Sequence, residues 1–344
     1  MTNPSRLPRI AVIGAGHWGP NLIRNFHNHL TSEVAWVVDR DAARRELTRS
    51  RYPDLRVSAD AADALADPDV DGVVIATPTV THHAIAGAAL RAGKHVLVEK
   101  PLATSVAEAE ELCALAEERR LALMVGHVFL FNGAIRRIKE YLAQDRLGRV
   151  FYVSMVRTNL GPIRMDVNAA WDLAAHDVAI ANFWLESEPV AAAAHGGSWI
   201  NSGIEDAAFI HLWYPGGVIC NLHVSWLSPR KVRDITVVGE KGMLTFDDMN
   251  LPEPIRLYDK QVADTRTPGF IDTFASFRTS IREGDILIPR VATGEPLKAE
   301  CDHFLDCIAT GARPLSDGRS GLSAVRVLAA IERSLRHDGR KEPL

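Results

Sequence analysis

Arg9-Ile10-Ala11-Val12-Ile13-Gly14-Ala15-Gly16-His17-Trp18-Gly19 is the stretch that decides how the first third of this 344-residue chain folds. Arg9 to Ile13 reads as a buried strand, and it runs directly into G-x-G-x-x-G with Pro20 placed for the first turn of a helix. Gly14 permits a tight turn, Gly16 lets the backbone approach a pyrophosphate, and Gly19 allows close packing of helix on strand. Phosphates would lie on the helix N-terminus, beside His17 and Trp18.

The next strand, Val34 to Val38, ends at Asp39, 20 positions after Gly19. A carboxylate at that spacing serves the ribose hydroxyls of a dinucleotide and repels a 2′-phosphate, which favours NAD. Arg40 beside it could accept that phosphate and leaves NADP open. Strands are then expected at Leu55 to Ser58, Gly72 to Ala76, His95 to Val98 and Leu121 to Val125. Helices fall between them: Asp60 to Ala66, a run through Ile85, Ala88 and Leu90 that stops at Gly93, and one capped by Ser105-x-x-Glu108 that runs to about Arg120. This alternation predicts an α/β fold, a doubly wound parallel sheet in a dinucleotide-binding domain over residues 1–126.

From Gly126 the pattern changes. A helix at Ile135 to Gln144 precedes β-rich runs at Val150 to Arg157, Ala207 to Trp213, Val218 to Trp226, Asp234 to Val238 and Met243 to Phe246, with short glycine turns between. Residues 127–344 are therefore expected to form a second, α+β domain with a large, mainly antiparallel sheet, closed by helices at Leu297 to Thr310 and Gly321 to Arg336. Asp259 to Gly269, polar and proline-bearing, reads as a mobile loop. A sheet with one face uncovered calls for a partner, so a homo-oligomer, dimer or tetramer, is expected.

Composition excludes several classes. The chain has 39 basic and 43 acidic residues, a net charge of -4 and no basic block, which disfavours nucleic acid. Cys113, Cys220, Cys301 and Cys307 form no paired or zinc-type pattern, in keeping with a reducing cytoplasm. No apolar run approaches the roughly 20 residues of a membrane span, and the short polar start, Met1 to Pro8, is not a leader.

Two stretches carry candidate chemistry. In Gly93-Lys94-His95-Val96-Leu97-Val98-Glu99-Lys100-Pro101 the strand breaks off where a parallel strand reaches the carboxyl edge of its sheet, where ligands collect. Lys100 is there either an acid/base group or a lysine turned to solvent. In Trp171-Asp172-Leu173-Ala174-Ala175-His176-Asp177, a helix would put Asp172 and His176 on one face, with Asp177 about 100° away. His176 is then a second acid/base candidate, a structural pair with Asp172, or half of a metal site that lacks a local third ligand.

Together, the glycine loop, Thr77-Pro78-x-x-x-His82, Glu99-Lys100-Pro101 and Asp172-x-x-x-His176 resemble the Gfo/Idh/MocA oxidoreductase family over nearly the whole chain. The resemblance implies NAD(P)-dependent oxidation or reduction of a hydroxyl on a sugar or cyclitol, with Lys100 as catalytic acid/base, His176 close by, and no metal. It also implies that Thr77, Pro78, His82 and Glu99 line the nicotinamide side of the cofactor cleft, and that the Lys100-Pro101 bond is cis. Arg157 to Asp177, with Trp226-x-x-Pro229-x-Lys231-x-Arg233, resembles members of sugar-modification pathways that oxidise C3 of a nucleotide-linked or glycosidic hexose. Asn159 and Asp166 fall in that segment as substrate-binding candidates. Arg157, Arg164, Lys231 and Arg233 would converge on a diphosphate, or else form a solvated rim. Thr79 stands where many members have Asn, and Ala174 where many have Gly. The alternatives are an NADPH-dependent ketosugar reductase, an NAD-dependent glycosidase, and a non-catalytic NAD- or sugar-sensing protein on the same fold.

Overall fold

A computed structural model of the chain, described for residues 6–262 and 281–344, divides into two compact units. The first holds the residues up to Asn132 together with Gly294–Ala329. Its elements alternate: β1 (Arg9–Ile13), α1 (Gly19–His27), β2 (Glu33–Val38), α2 (Ala42–Arg51), β3 (Arg56–Ser58), α3 (Ala61–Ala66), β4 (Gly72–Ile75), α4 (His82–Arg91), β5 (His95–Glu99), α5 (Val106–Arg119) and β6 (Leu123–Gly126). All six strands are parallel, in the order β3-β2-β1-β4-β5-β6. The inner strands are covered on both faces and so read as unbroken apolar runs rather than as alternation. The order reverses between β1 and β4, which opens a crevice at the carboxyl ends of the strands.

One helix of this unit has no apolar stripe to announce it. Ala42–Arg51 is mostly charged, and its start is fixed by Asp41, whose carboxylate accepts from the backbone N–H of Ala43 and Arg44.

The second unit comprises Gly133–Thr293 and Ala330–Leu344. It contains α6 (Gly133–Ala143), β7 (Val150–Leu160), α7 (Ala175–Leu185), β8 (Ala191–Gly197), β9 (Ala207–Trp213), β10 (Ile219–Ser225), β11 (Leu227–Gly239), β12 (Met243–Asp247), β13 (Ile255–Val262) and β14 (Ile281–Leu287). With a short strand near the end of the chain, Glu342–Pro343, these eight strands form one nine-stranded sheet among the described residues, in which β7 and β10 pair in parallel and the other neighbours are antiparallel. Val153, Met155, Ile210, Leu212, Leu222 and Val224 bury one face, and Trp184 ties α7 to α6 by donating its indole N–H to the Ile135 carbonyl.

The chain closes with α8 (Pro296–Thr310), α9 (Gly318–Arg336) and a short β15 (Glu342–Pro343). Residues 127–344 are expected from the sequence to form one domain; by contact, α8 and the first part of α9 group with the first unit. The reason is packing: a Cβ on Gly72 would stand 2.9 Å from Ile308 Cδ1 and 3.2 Å from Phe304, so α8 lies directly on the β4 backbone. Two further expectations change. Asp259 is in β13 rather than in a loop, while residues 263–269 of that stretch lie outside the described residues. β8 opens on Ala191 to Ala194, poor strand formers that are buried and held in register by β9.

Candidate active site

The first unit presents the dinucleotide cradle as the glycine spacing requires. Gly14 has φ +99°, and a Cβ there would meet the Ala76 carbonyl oxygen at 2.6 Å; its N–H donates to the Val38 carbonyl at 2.7 Å. A Cβ on Gly19 would collide with the Gly14 carbonyl. Trp18 stands at the N-cap position of α1 without a side-chain cap bond, and His17 beside it is exposed, its ring edge-on to that of Trp18. Asp39 is buried: one carboxylate oxygen accepts from the Ala15 N–H at 2.7 Å and the other from the Asp41 N–H at 2.8 Å. A carboxylate has about four lone-pair sites, so both oxygens keep capacity for ribose hydroxyls. Arg40 is exposed, and its carbonyl accepts from Arg45. The sequence reading missed Arg44, on the first turn of α2, whose guanidinium lies 3.6 Å from Asp39 and 3.4 Å from where a Gly16 Cβ would be. The glycine faces and donor set fit NAD.

The loop after β4 and the end of β5 are held together by His82. Its buried ring spans the Thr77 carbonyl, 2.9 Å from Nε2, and the Pro101 carbonyl, 2.8 Å from Nδ1. Pro78 is exposed, and the Thr81 hydroxyl donates to the Thr77 hydroxyl and the Pro78 carbonyl, each at 2.7 Å. The Lys100-Pro101 bond is cis. Lys100 is partly buried at the carboxyl edge of β5, on the same edge of the sheet as the glycine loop. Burial pushes the Glu99 carboxyl up to about 7, opposed by the Lys100 charge and by the Lys100 backbone N–H. His127, one residue past β6, is pushed down to about 4 by burial and then by Lys100. Glu300 on α8 is raised well above the usual carboxylate range by burial and by the Glu99 charge.

The second unit gathers the other candidates around the start of α7. Ala170–Ala174 is a π-helical turn, so Asp172 and His176 are not simple i, i+4 neighbours on an α-helix as the sequence reading had it. Asp172 is bound on both oxygens: Arg164 donates to one at 3.1 Å and the Trp226 indole N–H to the other at 3.2 Å. Arg164 also grips Asp166 at 2.6 and 2.9 Å, holding that carboxyl below its usual range. His176 is partly exposed on the first turn of α7. Arg157 forms a bidentate pair with Asp177 at 2.7 to 3.1 Å, with side chains 5% and 2% exposed, which fastens β7 to α7. The carboxylate expected to point away from the site thus serves the fold. Arg233 pairs with Asp248 at 2.8 Å, Lys231 is exposed on β11, and the Asn159 amide lies over Gly161. Among the described residues no three His, Cys, Asp or Glu side chains come together as a metal site, and no helix is long and apolar enough to cross a membrane.

Comparison with known proteins follows the same division. Residues 8–127 match the model of an oxidoreductase family with an NAD-binding Rossmann fold, and residues 135–245 match the GFO/IDH/MocA C-terminal domain. A UDP-N-acetylglucosamine 3-dehydrogenase of Acidithiobacillus ferrooxidans is 29% identical over 337 residues, covering 94% of this chain and 97% of its own. Inositol 2-dehydrogenase 2 of Saccharopolyspora erythraea is 33% identical over 247 residues, 69% of this chain and 72% of its own. The crystal structure of GenD2 from gentamicin A biosynthesis, in complex with NAD, superimposes with a TM-score of 0.80 at 26% identity, covering 100% of this chain and 98% of that one.

Proposed function

The chain belongs to the Gfo/Idh/MocA oxidoreductase family, and from that premise we propose that it is an NAD-dependent dehydrogenase acting at C3 of a hexose in a nucleotide sugar or glycoside. The observation that carries the reading is the placing of Lys100 on the same sheet edge as an intact dinucleotide loop. Bound NAD supplies the acceptor for the hydride of the substrate carbon. Lys100 takes the hydroxyl proton; Gly14, Gly16, Gly19 and Asp39 hold the dinucleotide, and His82 fixes the loops on either side of it. In the second unit, the Asp172 carboxylate is oriented by Arg164 and Trp226 and serves substrate hydroxyls, with His176 as the second acid/base group.

The choice of C3 and of a nucleotide sugar draws support from the UDP-N-acetylglucosamine 3-dehydrogenase relative. Charge supports it less, because Arg157 and Arg233 are each neutralised by an aspartate. Arg164 is likewise held by Asp166 and Asp172, so Lys231 is left as the cation for a diphosphate, and Arg157 acts by positioning α7 rather than by touching substrate. The sheet face opposite the buried one carries Phe209, 51% exposed and stacked on His223, with Tyr152 paired to Ile219 beside them. That apolar strip supports a homo-oligomer.

Following NADH formation with a panel of nucleotide sugars and aminoglycosides tests the substrate. Lys100→Ala is expected to abolish turnover while NAD still binds; substantial remaining activity on the true substrate sinks the assignment.

A further inference from the structure

The turn that carries Asp172 is held from outside by a corner of the second unit's sheet. Ala170–Ala174 is π-helical, a rare geometry that occurs mostly at functional sites. Asn168, just before it, meets two of its N–H groups: the side-chain oxygen accepts from Trp171 at 3.0 Å and the backbone carbonyl from Asp172 at 3.1 Å. The nitrogen of the same amide donates to the Glu205 carboxylate at 2.7 Å, and the Glu205 carbonyl accepts the Ala169 N–H at 2.8 Å. Glu205 and its neighbour Asp206 lead into β9. The Asp206 carboxylate accepts the N–H groups of Trp199 and Ile200 at 2.6 and 2.9 Å, and its carbonyl accepts the Trp226 N–H at 2.9 Å. Trp226 then gives its indole N–H to Asp172 at 3.2 Å. Two adjacent residues therefore hold both the backbone under Asp172, through Asn168, and a donor on its carboxylate, through Trp226.

We propose that Glu205, acting through Asn168, is a positioning residue that sets the Asp172 carboxylate for substrate. The inference rests on the reading of Asp172 as the group that serves substrate hydroxyls. Glu205 decides which way the Asn168 amide faces: turned over, the amide would set its oxygen against a carboxylate and its nitrogen against the Trp171 N–H, losing both bonds. An ionised acceptor also makes the Asn168 bond about twice as strong as a neutral one. Without Glu205 the Asn168 amide loses that preference and its grip on Trp171 loosens. The turn can then tighten from i→i+5 to ordinary i→i+4 bonding, which rotates Asp172 about the helix axis and away from the Trp226 indole.

The test uses the full chain and two readouts, of which the first needs no ligand. The indole N–H resonance of Trp226, identified as the one lost in Trp226→Phe, reports the bond to Asp172. Glu205→Ala should move it in the same direction as Asp172→Ala does, while the indole of Trp184, bonded to Ile135, stays in place. Asn168→Asp keeps an acceptor for Trp171 but sets two carboxylates against each other, and should move the Trp226 resonance too. Adding Glu205→Gln to Asn168→Asp supplies an amide that donates to the new carboxylate, and should return the resonance to its wild-type place. A Trp226 resonance that stays put in Glu205→Ala, or one that moves together with that of Trp184, overturns the positioning role. The second readout is kinetic, on the sugar that gives the wild type its fastest NADH formation. Glu205→Ala should lower kcat/KM for that sugar about tenfold with NAD affinity unchanged by calorimetry, and should lower it no further once Asp172→Ala is present. Losses that multiply in the double variant overturn the link to Asp172 and leave the dehydrogenase reading standing. A wild-type kcat/KM in Asp172→Ala, or a wild type that forms no NADH with any sugar, overturns both.

Discussion

Replacing His127 by Phe tests whether the interior behind Lys100 holds its imidazole neutral. Burial is the larger cause of the downward displacement and the Lys100 charge the second; together they take the ring from 6.5 to about 4. A histidine whose folded pKa lies below its unfolded one binds fewer protons when folded, so acid favours the unfolded chain. Above about pH 6.5 the group costs nothing through this route, and below about 4 the full cost is present. Lowering a pKa by one is worth roughly 1.4 kcal/mol, so that cost is about 3.5 kcal/mol. Most of it, roughly 2 to 3 kcal/mol, develops between pH 7.5 and 4.5. Urea unfolding of both proteins at those two pH values should therefore show His127→Phe losing that much less stability on acidification. The packing difference between Phe and His is the same at either pH and cancels in the comparison. Adding Lys100→Met to the wild type should shrink the acid loss, because one of its two causes is gone. Parallel stability curves for wild type and His127→Phe would refute the reasoning.

Other expectations follow from single contacts. Arg157→Leu and Asp177→Leu should each cost about 3–5 kcal/mol by leaving a buried charge alone, whereas the double variant should recover much of the loss; additive losses in urea titrations would show that the pair is not a unit. Asp39→Ala should weaken NAD by about tenfold and narrow or invert the preference over NADP, with Arg44 free to meet a 2′-phosphate; unchanged affinities by calorimetry would remove Asp39 from the ribose site. Phe209→Glu should lower the mass seen in sedimentation velocity, and an unaltered assembly would place the interface elsewhere.

The parallel sheet was legible because each inner strand is short, apolar through its middle and followed by a turn whose residues have a mechanical task, as Gly14 and Asp39 do. What stayed hidden were elements whose stability comes from pairing rather than from their own composition. Ala191 to Ala194 make a strand only because β9 supplies the other edge, and the charged α2 is announced by nothing but its Asp41 cap. The return of α8 to the first unit was unreadable for a related reason. Its apolar stripe says that one face is buried but not against what, and the complementary feature is the missing side chain of Gly72, distant in sequence.

The same stripe carried a signal of function. Leu297, Glu300, Cys301, Phe304, Leu305 and Ile308 form the buried face of α8, and a glutamate on such a face has to be uncharged or paired. Among the described residues, the charge that acts on Glu300 is that of Glu99, another carboxylate, and no cation offsets it. Its presence therefore argues for a proton rather than a salt bridge. His127, buried, and Glu99, half-buried, both feel the Lys100 charge and act on stability in opposite directions. His127 costs stability as pH falls from about 6.5 to 4, while Glu99, raised to about 7, binds more protons in the folded chain and costs stability as pH rises from about 4.5 to 7. Neither would be retained for packing, since an apolar side chain at either place would relieve its cost.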